Sequence, residues 1–208
     1  MRTVETMRYF RIFAAVVMTG VSAFILLPNA PKALLFMTTW GFLLTNCYFL
    51  VGIFEHSHDK MKKVTPKYYA LIWGLNWTIS LIYWTLLFTS DPNPLYKRVI
   101  FHSFPIVLTV IEFPYNRAML KRKHFLIMIA FVLIYFAFYC VTTLINGKGA
   151  YTGIDFTNFI IVFMIVLNFI ISLAALEVGR IIKNKIAQKS TESTENADYV
   201  EIQDRKSK

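Results

Sequence analysis

The chain has 208 residues, 56% of them hydrophobic and 16% aromatic against only 16% charged, with a mean hydropathy of +0.51. A single small core cannot hide that much apolar surface, which excludes an ordinary soluble domain and leaves lipid as the solvent. The formal charge of +10 does not mark a nucleic-acid binder, because the basic residues stand in short clusters between apolar runs, as membrane-flanking anchors do.

A helix needs about 20 mostly apolar residues to cross the hydrocarbon core with its backbone amides satisfied internally. Six stretches meet or approach that length: Tyr9–Leu27, Ala33–Phe54, Tyr68–Thr89, Val99–Phe113, Phe125–Ile145 and Phe156–Val178. The first has the basic start and apolar run of a signal sequence, but its apolar part is long for one, and it reads as a retained helix. The fourth is short and carries Pro105, so a kink is expected there. Pro28-Asn29 with Pro31, Asp91-Pro92-Asn93-Pro94, and Gly147 with Gly149 are the turn signals between spans. The expected fold is therefore all-α, a polytopic six-helix transmembrane bundle over residues 1–182. The polar segment 183–208 is expected to be a disordered tail.

Of the 22 Lys and Arg residues, 18 fall at the N-terminus (Arg2, Arg8, Arg11), in the second loop (Lys60 to Lys67), in the fourth loop (Arg117 to Lys123) and from Arg180 onward. The positive-inside rule then puts both termini and these loops in the cytoplasm. Cys47 and Cys140 lie inside apolar runs and read as small hydrophobes rather than a disulfide or a metal site.

Ionisable groups at membrane depth are costly and need a reason. His102 and Glu112 lie in the fourth span, and Glu177, beside Arg180, closes the sixth. Thr38 is five residues into the second span and His102 three residues into the fourth, both counted from the non-cytoplasmic side, so they share a level. A hydroxyl beside an imidazole can become a nucleophile when the base takes its proton; the same two groups can also simply join two helices. Thr39 is adjacent, and spacing does not rank it against Thr38. Glu112, ten residues past His102 and about 15 Å away along a helix, is expected to anchor the helix end near Arg117 or Lys121. Asn76 and Asn168 read as helix-to-helix glue, and Asp155 as a carboxylate at the start of the sixth span, at the depth of His102. Glu55, His56, His58 and Asp59 read as a solvated loop rather than a metal site. No phosphate loop, serine elbow or zinc-protease motif is present, and no cofactor is expected.

The run Phe36-Met37-Thr38-Thr39-Trp40 leading to Tyr48-Phe49, with His102-Ser103-Phe104-Pro105 leading to Ile111-Glu112, resembles the two signature regions of the androgen-induced-gene family of multi-pass membrane proteins. That resemblance implies an intramembrane threonine hydrolase of fatty acid esters of hydroxy fatty acids, with Thr38 as nucleophile and His102 as its partner. Thr38-Thr39-Trp40-Gly41, with Trp73-Gly74-Leu75-Asn76 and Tyr83-Trp84, is also similar to the related rolling-stone proteins, which have a part in muscle-cell fusion and imply a scaffold or adhesion role. A third reading, a proton path through His102 and Glu112, has only one ionisable group per level. Arg205-Lys206-Ser207-Lys208 resembles a dilysine retrieval signal, implying the endoplasmic reticulum membrane.

Overall fold

The computed structural model describes residues 2–26, 28, 30–55, 57–116, 118–147, 149–151 and 159–206. Among them the chain is helical throughout: α1 (Arg2–Val21), α2 (Ala30–Ala33), α3 (Met37–Ile53), α4 (Asp59–Ile82), α5 (Leu95–His102), α6 (Phe104–Glu112), α7 (Phe125–Asn146) and α8 (Ile160–Lys206). Wider π-helical turns extend α1 over Ser22–Leu26 and α4 over Tyr83–Leu87. Four of these helical runs are long and apolar enough to cross a membrane, while Met37–Ile53 is apolar but shorter.

Helix α4 is the central pillar. Half of its most apolar window is buried inside the molecule, against 22% for the other three long helices, and it packs against α3, α6, α7 and α8. On one side Tyr69, Ile72 and Trp73 meet Phe42, Tyr48, Leu108, Phe113 and Leu176. On the other, Leu75 and Ile79 meet Met37, Met128, Val132, Tyr135 and Tyr139. The outer helices turn large apolar side chains outward, among them Leu133, Ile134 and Leu144 of α7 and Phe163, Ile170 and Leu173 of α8. A water-facing surface of that kind would be a site of aggregation; against acyl chains it is what lipid requires. These are the outward faces of a helical membrane protein.

Polar side chains join the helices. Asn76 donates to Thr45 Oγ1 of α3 (3.0 Å) and Thr109 Oγ1 of α6 (2.9 Å), and the Thr78 and Ser172 hydroxyls meet at 2.8 Å between α4 and α8. Asn168, expected to do the same, instead donates to the Met164 carbonyl one turn back on its own helix. Glu177 binds both Arg180 and, across to the turn before α7, Arg122.

Three elements depart from the sequence reading. The kink expected at Pro105 is replaced by a one-residue interruption at Ser103, which ends α5 and precedes α6 while its amide still donates to the Val99 carbonyl (2.9 Å) and its carbonyl still accepts from the Val107 amide (3.0 Å). Pro105 falls in the first turn of α6, where a missing amide costs no hydrogen bond. The basic segment Lys60 to Lys67, read as a loop, is the opening of α4, with Asp59 in its first turn paired to Lys62. Helix α8 runs on to Lys206 through the segment expected to be disordered; Lys, Glu, Gln and Ala are good helix formers and prolong a helix already anchored by packing. Gly147 ends α7 in the left-handed conformation (φ 68°), the usual glycine stop.

Candidate active site

Thr38 stands in the first turn of α3 and His102 is the last residue of α5. The chain enters α3 through an extended Phe36, and Trp40 Nε1 donates back to the Leu34 carbonyl (2.8 Å), which fixes that entry. Ser103, between α5 and α6, is held because Trp84 Nε1 donates to its Oγ (2.9 Å). The two elements bring Thr38 Oγ1 to 3.5 Å from His102 Nδ1. That is a little longer than a formed O–H···N bond, and a side-chain adjustment of ~0.6 Å closes it; catalytic hydrogen bonds often tighten only when substrate arrives. Thr39, next along the helix, is buried, and it is Thr38 that faces the imidazole.

The imidazole is set in a plane by Tyr83, whose ring stacks on it with centroids 3.3 Å apart and an interplanar angle of 1°. Tyr83 begins the π-helical extension of α4, and its hydroxyl donates to Asp91 Oδ2 at 2.7 Å. Asp91 is held in turn by the backbone amide and side chain of Asn93 (2.9 and 2.8 Å). Burial works to raise the Asp91 carboxyl, but these hydrogen bonds and the nearby Arg98 outweigh it and hold the group below the usual aspartate value. Arg98 staples the same turn through the carbonyls of Phe88, Asp91 and Asn93.

Thr38 also edges a cavity of about 60 Å³ between α3, α4, α7 and α8, partly open, with Met37, Ile79, Tyr83, Tyr135, Tyr139 and Asn168 in its wall. Tyr135 donates to the Leu35 carbonyl (2.9 Å), and Tyr151 accepts the Met37 amide (3.0 Å), so both hydroxyls brace the start of α3. Phe36 packs edge-on against Tyr151, and Trp40 against Tyr135. The first amides of a helix have no intrahelical acceptor. Met37 finds Tyr151 and Thr39 finds the Phe36 carbonyl; the Thr38 amide lies between them, at the positive end of the α3 dipole.

Glu112 is not part of this constellation. It is fully buried at the end of α6, where Arg11 of α1 reaches it, with Nε 2.8 Å and Nη2 2.6 Å from Oε1. Tyr48 also donates to Glu112 (2.8 Å), while Arg11 binds Glu55 (2.5 Å) and the Gly52 carbonyl (2.7 Å). Arg117, one of the two expected partners, lies outside the described residues, and the partner the structure shows for Glu112 is Arg11, 101 positions earlier in the chain. Glu55 is therefore taken from the expected loop cluster, and no group of three metal-binding side chains occurs among the described residues. Asp155 and His56 lie outside the described residues.

Sequence reasoning named Thr38 and His102, and missed Tyr83 and Asp91. The pairing of Tyr83 with a turn eight residues on was the available signal, but aromatic residues abound in this chain and nothing in their spacing singles one out. Compared with known proteins, the chain matches no family model, no curated protein and no solved structure.

Proposed function

We propose that the chain is a six-span membrane protein that hydrolyses lipid esters, with Thr38 as nucleophile and His102 as general base. The observation that carries this reading is the 3.5 Å approach of Thr38 Oγ1 to His102 Nδ1 beside an apolar cavity. Six spans are supported by length: α3 with 17 residues, and α5 with α6 at 8 and 9 residues, each reach about 26 Å, close to the ~30 Å hydrocarbon core once their flanking turns are added. The clustered basic residues put both ends in the cytoplasm and the candidate site toward the opposite leaflet. The basic ending of the tail favours the endoplasmic reticulum membrane.

With the imidazole proton on Nε2, the Nδ1 lone pair takes the Thr38 proton as Oγ1 attacks the ester carbonyl. The oxyanion forms at the N-terminus of α3, where the Thr38 amide and the helix dipole stabilise it. Collapse breaks the bond to the alcohol, which leaves with the proton from His102, and the acyl group stays on Thr38. Water then attacks that ester, giving its proton to His102, which returns it to Thr38 as the acid departs. No metal or cofactor enters. By resemblance the substrate is a fatty acid ester of a hydroxy fatty acid.

The test is a fluorophosphonate probe on purified protein in detergent, compared with Thr38→Ala and His102→Ala. Labelling of the unmodified protein that both variants lose is the expected result. A folded, unlabelled native protein would favour the second reading, a scaffold or adhesion protein in which the 3.5 Å contact joins α3 to α5 and nothing more.

A further inference from the structure

The backbone that leads into Thr38 is tied at three points between Leu34 and Met37. Trp40 Nε1 donates to the Leu34 carbonyl (2.8 Å), the Tyr135 hydroxyl to the Leu35 carbonyl (2.9 Å), and the Met37 amide to the Tyr151 hydroxyl (3.0 Å). Phe36, between the last two, is extended (φ −100°, ψ 131°) and lies edge-on to Tyr151, with ring centroids 5.3 Å apart. Tyr135 and Tyr151 also face each other. Their oxygens are 3.4 Å apart, and because Tyr135 gives its proton to Leu35, only Tyr151 has one to offer across that gap. Each hydroxyl thus holds one backbone group, one on either side of Phe36.

Two properties of threonine make this entry matter to the chemistry proposed above. Its branched Cβ leaves few side-chain rotamers, so the backbone that carries Thr38 decides where Oγ1 stands. Its own amide is the oxyanion donor, so nucleophile and donor move together with the first turn of α3. The first amides of a helix have no intrahelical acceptor, and helix ends fray. Here the amide of Met37, the first residue of α3, is held by Tyr151 instead. A reacting group displaced by about 1 Å can lose ~100-fold in rate. The 3.5 Å between Thr38 Oγ1 and His102 Nδ1 leaves little room for such a shift.

Resting on the hydrolase reading above, we infer that Tyr135 and Tyr151 are positioning residues for the reaction: their hydroxyls clamp the chain on both sides of Phe36 and so hold Thr38 toward His102. Both come from outside α3. Tyr135 stands in the middle of α7, in the core it shares with Met37 and Tyr139, and Tyr151 follows the Gly147 end of the same helix. Helix α7 therefore acts on the site through two hydroxyls, and not only as a wall of the cavity that both residues line. Neither hydroxyl takes part in proton transfer.

Tyr135→Phe and Tyr151→Phe keep both rings and remove one oxygen each. Purified full-length protein in neutral detergent is treated with a long-chain fluorophosphonate over a range of concentrations, so that the labelling rate at saturation is read separately from the half-saturating concentration. Each variant is expected to label about tenfold more slowly at saturation, with a half-saturating concentration within about twofold of the unmodified protein's. The double variant is expected to be about as slow as the slower single one, because both hydroxyls hold one segment. In Tyr151→Phe, hydrogen exchange of the amides that open α3, read by mass spectrometry, is expected to quicken, since Met37 loses its acceptor. Saturating rates equal to that of the unmodified protein, unchanged exchange, or a change confined to the half-saturating concentration overturns the inference; in the last case the tyrosines touch the ligand and do not position Thr38. A smaller amount of labelled protein with an unchanged rate constant overturns it too, as a loss of folded material alone. Unmodified protein that is folded and takes no label ends the hydrolase reading and the positioning role with it. Labelling at a rate indifferent to both tyrosines ends the positioning role and leaves the hydrolase reading standing.

Discussion

The buried pair between Arg11 and Glu112 should be the main polar determinant of stability, and its size can be worked from its contacts. Arg11 is 3% exposed and Glu112 fully buried. Glu112→Leu would leave the guanidinium buried with Glu55 as its remaining anion and with the Gly52 carbonyl and Tyr48 hydroxyl still in place. Breaking a buried pair costs about 3–5 kcal/mol, and the surviving Glu55 contact puts this variant near the lower end, ~3 kcal/mol. Arg11→Met is worse, because Glu112 keeps only neutral donors, Tyr48 and Asn116, within hydrogen-bonding distance (2.8 and 3.1 Å); ~5 kcal/mol is expected. The double variant Arg11→Met with Glu112→Leu removes both charges and should be more stable than either single one. The assay is unfolding by titration from neutral into denaturing detergent, followed by tryptophan emission. Trp73 stacks on Phe113 (4.3 Å), the residue after Glu112, and so reports on this region. Either single variant within about 1 kcal/mol of the unmodified protein, or a double variant that is the least stable of the three, refutes the reasoning.

Other perturbations test other joints. Gly179→Ala would set a Cβ 2.6 Å from both the Trp73 indole nitrogen and Leu120 Cδ1, so a loss of ~1–3 kcal/mol is expected in the same unfolding assay. Tyr83→Phe keeps the ring on His102 and should keep fluorophosphonate labelling, whereas Tyr83→Leu removes the stack and should slow labelling about tenfold; equal rates would show that the imidazole needs no such support. Asp91 has a folded value below its unfolded one, so its stabilisation is present above about pH 4 and is lost as pH falls through the lowered value. Asp91→Ala should therefore lower the midpoint at pH 7, with the difference from the unmodified protein shrinking below about pH 4.

Much of the bundle could be read from the sequence because lipid imposes a simple rule, a long apolar run for each crossing, and basic clusters mark the ends. The depth argument that paired Thr38 with His102 worked for the same reason: residues counted from a common interface have few places to be. What the sequence hid depends on rotation about each helix axis and on contacts distant along the chain. Arg11 looks like an interfacial anchor until α1 is turned so that it faces Glu112. Tyr83 looks like one more aromatic until a π-helical turn lays its ring over the imidazole. The opening of α4 at Asp59 rather than Tyr68 was hidden because four lysines suggest a loop, although a helix that emerges from the membrane carries them equally well.

The central claim is that the Thr38 oxygen attacks. Digestion of fluorophosphonate-treated protein and mass spectrometry of the peptide that follows Lys32 tests it most directly, because Thr38 and Thr39 lie together there and fragmentation tells them apart. The account predicts a phosphonyl adduct on Thr38 that is absent from His102→Ala. An adduct on Thr39, or one on Thr38 that forms equally fast without His102, would contradict it.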